Sequence, residues 1–413
     1  MKKILWICNT PLPEIQDELG IRNYNEGWLV GISNQLKKRK DIEFYYAFPQ
    51  EKYKRIFMRT IDRIHFIGFS NFHKNLYSIE QANINTFSTI IKKVNPDIIH
   101  IFGTELPHCL ECVSSVQNKT KIVISIQGLT SEISKKYVKD ISLYDMLRGK
   151  FFDGKYRCIL EEKYEFFRRG INEKKALQNV TNVIGRTEWD KKCVKLINSK
   201  CKYYFCNETL RETFYEGKWD INKIQRHSIF VSQAYYPIKG LHIMIPALPM
   251  IKEKYPDVKV YVGGNKSFLE DTAYGIYINK LIKFYNVDEN IIFLGYLNTE
   301  KVKQRLMLSH IMLMPSLIEN SPNSIGEAMI VGTPVVAANV GGISSILRHN
   351  REGYLYPCLN IKKMVERICE VFMYDDIALR FSENGQKWAR KLYDQSKNLN
   401  QLLKIYECIE KKA

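Results

Sequence analysis

The sequence lacks the long apolar runs of membrane-spanning proteins. No stretch reaches the ~18 consecutive apolar residues that a transmembrane helix requires. The first residues, MKKILWICNT followed by Pro11 and Pro13, contain too short an apolar run for the core of a signal peptide. We therefore expect a cytoplasmic protein that touches a membrane only peripherally, if at all.

Metal-binding patterns are also scarce. The eight histidines form no H-E-x-x-H and no close pair with ligand spacing. Ten cysteines fall at irregular spacings, which suits a reducing compartment, and a C-x-x-C occurs at Cys109 and Cys112. One such pair supplies half of the four ligands of structural zinc. We expect no metal site and interpret the pair as small, semi-buried residues one helical turn apart.

Length and composition indicate a folded protein with two domains. The 413 residues exceed one ordinary core and suit two α/β domains. Apolar residues make up 45% and charged residues 26%, which excludes the disordered and collagen-like classes. We find no repeat of solenoid period and no low-complexity tract.

The chain is strongly basic, with a net charge of +18. Residues 1–225 carry an excess of twelve positive charges and residues 226–413 an excess of six. Such an excess suits anionic lipid, nucleic acid or phosphorylated ligands. We therefore expect an anionic surface partner on the N-terminal half.

Short β-branched runs alternate with helix-length segments, which is typical of βαβ units and a parallel sheet. The pattern restarts near residues 220–228. The predicted strands are ILWIC (4–8), IEFYYAF (42–48), DIIHIF (97–102), KIVISI (121–126), NVIG (182–185), SIFVSQ (228–233), KVYVGG (259–264), NIIFLGY (290–296), IMLMPS (311–316) and TPVVAA (333–338).

The restart predicts two doubly wound, Rossmann-like domains in tandem. We place them at residues 1–225 and 226–390, with a C-terminal helix in 391–413 that packs back on the first domain. The whole segment 361–411 is predicted to be helical. Ligands of such sheets bind outside the carboxyl ends of the strands, so two facing domains would share one cleft.

The most informative stretch is PSLIENSPNSIGEAMIVGTPVVAANVGGI, residues 315–343. It predicts a strand, a loop, a helix, a tight turn and a second strand. Pro322 suits the first helical turn with Ser321 as its N-cap, and Gly332 suits the C-terminal end. Free N–H groups at such a helix start would stabilise a diphosphate. The expected donors are the backbones of Asn323, Ser324 and Ile325.

Two glutamates of this stretch, Glu319 and Glu327, lie eight positions apart. Acidic residues at such a spacing are common on solvated helix faces, so the pair alone carries little weight. The surrounding Pro322, Gly326 and Gly332 are backbone-constrained residues that a solvated face does not require. In this context the two carboxylates suit the paired hydroxyls of a sugar or a ribose.

This segment resembles the E-x7-E donor-binding motif of glycosyltransferase family 4, and the resemblance extends over most of the chain. In the C-terminal half it includes Lys239-Gly240, the Gly263-Gly264 pair, FLGYL (293–297) and EGYLYP (352–357). In the N-terminal half NPDIIHIFGTE (95–105), SIQGL (125–129) and GRTEWD (185–190) resemble a bacterial subgroup that acts in surface-polysaccharide assembly.

The resemblance implies a GT-B fold and a retaining transferase that needs no metal or other cofactor. The donor would be a nucleotide-diphosphate sugar, and a hexose would pass to a saccharide acceptor. Glu319 would contact the sugar hydroxyls and Glu327 the ribose, while Lys239 would neutralise the departing diphosphate. A lipid-linked acceptor in capsular, exo- or O-antigen polysaccharide synthesis would bring the enzyme to the inner membrane face.

The sequence departs from the family at its cationic position. An arginine common five or six residues before the lysine is replaced here by Ala234 and Gln233. We keep Gln233 as a donor-site residue, and Lys239 with the helix dipole would carry more of the phosphate charge. Arg186 is a candidate for a substitute cation in the cleft.

Three further positions of the N-terminal half are candidates. Gln127 stands where the family often has histidine, and because glutamine hydrogen-bonds without titrating, we assign it a positioning role beside the reacting sugar. Gly27 in NEGWL corresponds to a glycine pair near the donor phosphates, although a helix-start glycine explains it equally well. His108, after Pro107, is a candidate for the acceptor cleft.

Basic and aromatic residues interleave in segments 51–69, 147–157 and 166–169. In the first segment Phe57, Ile61 and Ile64 share a face at helical spacing. We expect an amphipathic helix, either lying on an anionic membrane surface or packed on the sheet with a solvated basic face.

Other functions remain open from sequence alone. A nucleotide-sugar epimerase or a sugar phosphorylase could share the fold, and an epimerase would need titratable groups around the sugar. The missing arginine and histidine also permit a catalytically idle scaffold. Net charge permits a nucleic-acid-binding protein, but because we find no recognition-helix module, RNP-type strand or zinc finger, we expect no nucleic-acid partner.

Overall fold

The computed structural model describes residues 1–21, 29–53, 55–70, 74–148 and 157–411. The chain divides into two compact units, each of which draws on separate stretches of sequence. Unit 1 comprises residues 1–132, 165–211 and 393–413, and unit 2 comprises residues 133–164 and 212–392. The domain ranges 1–225, 226–390 and 391–413 remain a proposal.

An eight-stranded sheet forms the centre of unit 1. Its strands are β1 (Lys2–Ile7), β2 (Ile42–Pro49), β3 (Phe57–Ile61), β4 (Ile64–Phe69), β5 (Ile98–Phe102), β6 (Ile122–Ser125), β7 (Asn182–Gly185) and β8 (Lys202–Phe205). They lie in the order β3-β4-β2-β1-β5-β6-β7-β8. The β3–β4 pair is antiparallel and the other neighbouring pairs are parallel.

Apolar residues fill both faces of this sheet, because helices cover both faces of a parallel sheet. On β1, Ile4 and Trp6 point into one core cluster, whereas Leu5 and Ile7 point into the other. This two-sided burial explains why the central strands read as unbroken apolar runs in the sequence.

Residues 57–69 form a β-hairpin, so the predicted amphipathic helix is wrong. Ile61 pairs with Ile64 across a turn in which Asp62 and Arg63 have φ = 46° and 67°. Two central residues with positive φ make the tight turn that matches the twist of a hairpin. The spacing of Phe57, Ile61 and Ile64 fits a helix, but β-branched and aromatic residues also favour strands.

Helices connect the strands in both units. Those up to residue 215 are α1 (Pro13–Leu19), α2 (Val30–Leu36), α3 (Gln81–Val94), α4 (His108–Ser115), α5 (Thr130–Lys136), α6 (Leu143–Leu147), α7 (Ile159–Gln178), α8 (Glu188–Ile197) and α9 (Glu212–Tyr215). The later ones are α10 (Leu241–Met244), α11 (Leu248–Lys254), α12 (Phe268–Asp271), α13 (Ala273–Tyr285), α14 (Thr299–Leu308), α15 (Asn323–Val331), α16 (Ile343–Ile346), α17 (Ile361–Met373), α18 (Asp375–Leu392) and α19 (Gln395–Glu410). Short 3-10 turns lie at Lys119–Lys121, Pro237–Lys239, Ile245–Ala247 and Asp288–Asn290.

A six-stranded parallel sheet forms the centre of unit 2. Its strands are β9 (Gln225–Val231), β10 (Lys259–Val262), β11 (Ile291–Phe293), β12 (Ser309–Met314), β13 (Val335–Ala338) and β14 (Gly353–Tyr356). Their order is β11-β10-β9-β12-β13-β14, so the direction of winding reverses between β9 and β12. In doubly wound sheets the crevice for a ligand opens at this point, outside the carboxyl ends of the strands.

The predicted α/β class with two doubly wound sheets is confirmed. Every strand predicted from an apolar run is present, and the predicted helical segment at the C-terminal end contains α17, α18 and α19. Strands β3, β4, β8 and β14 were not predicted. In β8 the residues are partly or fully exposed, so it carries no buried apolar run.

Candidate functional site

The turn that carries Lys239 follows β9 and is held against the end of β12. Gly240 has φ = 74°, and a Cβ atom at this position would lie 2.0 Å from the carbonyl oxygen of Pro315. The N–H of Leu317 donates to the carbonyl of Ile238 at 2.8 Å. Glycine at position 240 therefore allows contact between the two loops that follow the neighbouring strands β9 and β12.

Glu319, in the loop after β12, is fixed by both its backbone and its side chain. Its carbonyl accepts from the N–H of Gly342 at 3.0 Å, and a Cβ atom on Gly341 would lie 1.9 Å from that carbonyl oxygen. The hydroxyl of Ser316 donates to Oε1 of Glu319 at 2.8 Å. The carboxylate is thus presented in one orientation at the crevice.

Lys239 and Glu319 form an ion pair at this crevice. The distance from Lys239 Nζ to Glu319 Oε1 is 2.7 Å, and the side chains are 20% and 11% exposed. Two candidates predicted from the sequence, 80 positions apart, therefore meet at the switch point of the sheet. An ammonium binds phosphate oxygens and a carboxylate accepts from hydroxyls, so the pair suits a ligand with both groups.

Helix α15 begins beside this pair, one residue later than predicted. Its N-cap is Pro322, without a side-chain cap bond, so the assignment of Ser321 as N-cap is wrong. The N–H of Ile325 donates to the carbonyl of Pro322 at 3.2 Å, which engages one of the three expected donors. Asn323 and Ser324 form the first turn, and Gly332 closes the helix with φ = 97°, as predicted.

Two other donor-site candidates lie in unit 2. Glu327 is in the second turn of α15, and the residue is 8% exposed. Gln233 lies in the loop between β9 and the Lys239 turn, where it is exposed. The structure thus brings Lys239 and Glu319 into direct contact and places Glu327 on the adjacent helix.

Gln127 and Arg186 of unit 1 contact each other. Nη2 of Arg186 donates to Oε1 of Gln127 at 3.2 Å and to its carbonyl at 3.4 Å. Nη1 of Arg186 pairs with Oε2 of Glu208 at 2.7 Å, and both side chains are at most 10% exposed. The charge of Arg186 is therefore balanced by Glu208, a residue that the sequence analysis did not single out.

Gln127, Arg186 and Glu208 line one open pocket, which we call the unit 1 pocket. It opens at the carboxyl ends of strands β5 to β8. Its other lining residues are Leu29, Ile32, His100, Phe102, Ser125, Ile126, Ile184, Gly185, Cys206, Asn207 and Leu402.

The candidate His108 does not join this pocket. His108 is buried at the start of α4, and its Nε2 lies 3.3 Å from the carbonyl oxygen of Phe102. It is not a lining residue of the unit 1 pocket. Gly27 lies outside the described residues.

Two carboxylates, the half-buried Glu105 and the buried Glu173, hold the loop that follows Gln127. Glu105 accepts from the N–H of Gly128 at 2.5 Å, and Glu173 accepts from the N–H groups of Thr130 and Ser131 at 2.8 and 3.1 Å. Burial raises the pKa of both Glu105 and Glu173. These bonds fix the start of α5 and therefore the exit of the chain from β6.

The C-x-x-C pair lies on α4, where Cys109 and Cys112 are both buried free cysteines, and burial raises the pKa of each thiol. Within the described ranges, no group of three or more His, Cys, Asp or Glu side chains is placed to hold a metal ion. In the same part of the chain, no helix combines the length and apolarity needed to cross a membrane.

Comparisons with known proteins find similar glycosyltransferases. Residues 211–388 match the family model described as "Glycosyl transferases group 1". The chain is 23% identical to "Uncharacterized glycosyltransferase MJ1178" of Methanocaldococcus jannaschii, over 93% of this chain and 95% of that protein.

Two solved structures extend the likeness to the whole fold. "Sucrose-phosphate synthase (tll1590)" of Thermosynechococcus elongatus superposes with a TM-score of 0.74 at 14% identity and covers 100% of both chains. The Anabaena protein Alr3699/HepE, solved with UDP-glucose, gives a TM-score of 0.67 at 15% identity and covers 99% of this chain and 100% of that one. The architecture is therefore GT-B, and within it residues 211–388 carry the sequence pattern of the group 1 glycosyl transferases.

Proposed function

We propose that this chain is a retaining, metal-independent hexosyltransferase of glycosyltransferase family 4. Its donor is a nucleoside diphosphate sugar and its acceptor is a saccharide. The observation that carries the proposal is the Lys239–Glu319 ion pair, which lies at the switch point of the unit 2 sheet beside the first turn of α15. Retention and metal independence follow from the family resemblance.

The ion pair suits the step in which the bond between the anomeric carbon and the diphosphate breaks. Negative charge then develops on the departing phosphate oxygen, and fixed positive groups accelerate the reaction most at that point. Lys239 supplies the charge, and the first turn of α15 with Asn323 and Ser324 supplies backbone donors. Glu319 accepts hydrogen bonds from the sugar hydroxyls, and Glu327 accepts from the ribose.

The acceptor side of the reaction belongs to unit 1 in this proposal. Gln127 is the positioning residue there, and its amide oxygen is oriented by Arg186. The acceptor is lipid-linked and the pathway is capsular, exo- or O-antigen polysaccharide synthesis, as the N-terminal resemblance implies. The cytoplasmic location predicted from the sequence remains part of the proposal.

A peripheral contact with anionic lipid completes the proposal. Arg55, Arg59 and Arg63 are exposed on or beside the β3–β4 hairpin at the edge of the unit 1 sheet. Each basic residue near an anionic surface contributes about 1 kcal/mol. Vesicles with phosphatidylglycerol should therefore sediment the protein, and equal sedimentation with neutral vesicles would contradict this part.

A thermal-shift screen tests the donor site directly. UDP, GDP, ADP and their common sugar conjugates are added without metal, because a ligand at a hundred times its Kd stabilises the folded state by about 2.7 kcal/mol. We expect one nucleotide family to raise the melting temperature, and Glu327→Ala to abolish the rise. Glu253→Ala, which removes an exposed glutamate of α11, is the matched control.

Product analysis then separates transfer from other reactions of this fold. A transferase releases free nucleoside diphosphate in proportion to the acceptor supplied, whereas an epimerase returns an intact nucleotide sugar. No shift with any nucleotide would contradict the proposal and favour an idle scaffold. Retention of the protein on DNA at physiological salt, without a nucleotide shift, would instead favour nucleic-acid binding.

A further inference from the structure

A chain of buried hydrogen bonds leads from the interior of unit 1 to the unit 1 pocket. Nε1 of Trp6 donates to the Tyr406 hydroxyl at 2.9 Å, and that hydroxyl lies 2.6 Å from Nδ1 of His100. Nε2 of His100 lies 2.6 Å from the Ser125 hydroxyl. All four residues are buried, and His100 and Ser125 line the pocket.

The direction of each bond in this chain follows from the donors present. Tyr406 accepts from Trp6, and among the described residues the acceptor in contact with its single hydroxyl proton is Nδ1 of His100. His100 therefore carries its proton on Nε2 and donates it to Ser125. Burial lowers the pKa of His100 to about 3, which agrees with a neutral ring.

Ser125 is thus left with a hydroxyl proton that no described residue accepts. A second unmatched donor, the buried Nε of Arg186, belongs to a residue that lines the same pocket. Buried donors are nearly always satisfied by protein, water or ligand. The Ser125 hydroxyl is therefore a donor for an oxygen atom of whatever occupies the unit 1 pocket.

Among the described lining residues of the pocket, the positive charge of Arg186 is balanced by a negative charge. Glu208 pairs with Arg186 at 2.7 Å, and an anion entering the pocket would meet this carboxylate as well as the guanidinium. A hydroxyl both accepts and donates, so it can bind beside Arg186 and Glu208 without repulsion. Leu29, Ile32 and Leu402 add apolar walls that suit the C–H face of a ring.

We propose that the unit 1 pocket binds an uncharged, hydroxyl-bearing ring, and that Ser125 and Glu208 determine this specificity. Ser125 donates to a ring oxygen or hydroxyl, and Glu208 excludes anionic groups by neutralising Arg186. The identification of this ring as a sugar of the acceptor rests on the proposed function. The proposed specificity excludes carboxylated and phosphorylated sugars from the pocket.

Saturation-transfer NMR on the full chain, with saturating UDP present, tests the proposal. The neutral probes are the methyl α-glycosides of glucose, galactose and mannose, and the charged probes are glucuronate and glucose 6-phosphate. We expect a neutral glycoside to bind and the charged probes to bind at least about tenfold more weakly. Ser125→Ala should weaken the neutral probe about 3- to 10-fold, the usual effect of one hydrogen bond.

Glu208→Gln should reverse the preference. The variant leaves the charge of Arg186 uncompensated, so glucuronate should bind about 10- to 100-fold more tightly than to the wild type. Ser114→Ala, at an exposed serine of α4, is the control for Ser125→Ala. An unchanged nucleotide shift confirms that each variant is folded.

Three results would overturn the inference. In the first, no neutral glycoside binds to a chain whose melting temperature still responds to nucleotide. In the second, Ser125→Ala binds the neutral probe as tightly as Ser114→Ala does, and in the third, the wild type binds glucuronate as tightly as the neutral probes. The first result, no glycoside binding with an intact nucleotide response, does not contradict the donor-site assignment. Glycoside binding without any nucleotide response would instead contradict the transferase proposal and support the pocket.

Discussion

At the scale of single residues, the donor-site proposal depends on one short contact between opposite charges. The sequence singled out Lys239 and Glu319 through their local motifs, and the structure places Nζ and Oε1 2.7 Å apart. Motifs suffice here because both residues follow strands whose carboxyl ends meet at the same edge of the sheet.

Replacing Lys239 with alanine should reduce kcat more than it weakens nucleotide binding. The charge of Lys239 matters most as the diphosphate leaves, so we expect kcat to fall about 100- to 1,000-fold. Steady-state kinetics and nucleotide Kd values check this, with Lys283→Ala on the exposed side of α13 as the control. Weaker nucleotide binding with an unchanged kcat would place Lys239 in ground-state binding instead.

Residues of the unit 1 pocket illustrate the limit of sequence reasoning. Trp6, His100, Ser125 and Tyr406 form one hydrogen-bonded chain but lie up to 400 positions apart. No local sequence pattern predicts such a series of hydrogen bonds, because each residue by itself is typical of a core strand or helix. Glu208 was missed for the same reason, since its importance comes from its contact with Arg186.

At the scale of elements, most strands could be predicted because helices bury both faces of the sheets. The hairpin β3–β4 could not, because its apolar residues also fit a helical period and its turn uses Asp62 and Arg63 rather than glycine. The start of α15 shifted by one residue, since Pro322 serves as N-cap instead of entering the first turn.

Replacing Gly240 in the Lys239 turn should destabilise the protein more than replacing another glycine of the same backbone conformation. Gly240 and Gly20 share φ = 74°, but a Cβ at Gly240 would lie 2.0 Å from Pro315 O, whereas nothing lies within 4 Å at Gly20. Gly20→Ala should cost about 1–2 kcal/mol from the left-handed backbone alone. Gly240→Ala should cost more, because the turn must also move away from β12.

Chemical unfolding of both glycine variants measures the difference, and nucleotide binding reports whether the Lys239 turn has moved. We expect Gly20→Ala to keep full nucleotide affinity and Gly240→Ala to lose part of it. Equal destabilisation of the two variants would show that contact with Pro315 does not constrain the turn.

At the scale of the whole molecule, buried neutral histidines make stability depend on pH. Burial lowers the pKa of His100 to about 3 and that of His242 and His310 to about 4, whereas an unfolded histidine titrates near 6.5. The unfolded state therefore binds more protons below pH 6.5. The contribution of these histidines is present above pH 6.5 and is lost as the pH falls towards 4.

His242→Gln isolates one of these contributions. His242 Nδ1 accepts from the Tyr274 hydroxyl at 2.9 Å and Nε2 donates to the Lys139 carbonyl at 3.2 Å, and a glutamine amide can replace both bonds. Between pH 7 and 4.5 the wild type should lose on the order of 3 kcal/mol more stability than the variant. Denaturant titrations at several pH values measure this, and parallel pH profiles would contradict a neutral buried His242.

The position of α19 has a consequence for how the protein is made. The hydrogen-bond partner of Trp6, Tyr406, is synthesised 400 residues after it. At about 5–20 residues per second, that interval lasts roughly 20 to 80 seconds. During that time β1 lacks a helix that covers one of its faces, so unit 1 reaches its native core only after α19 has been synthesised.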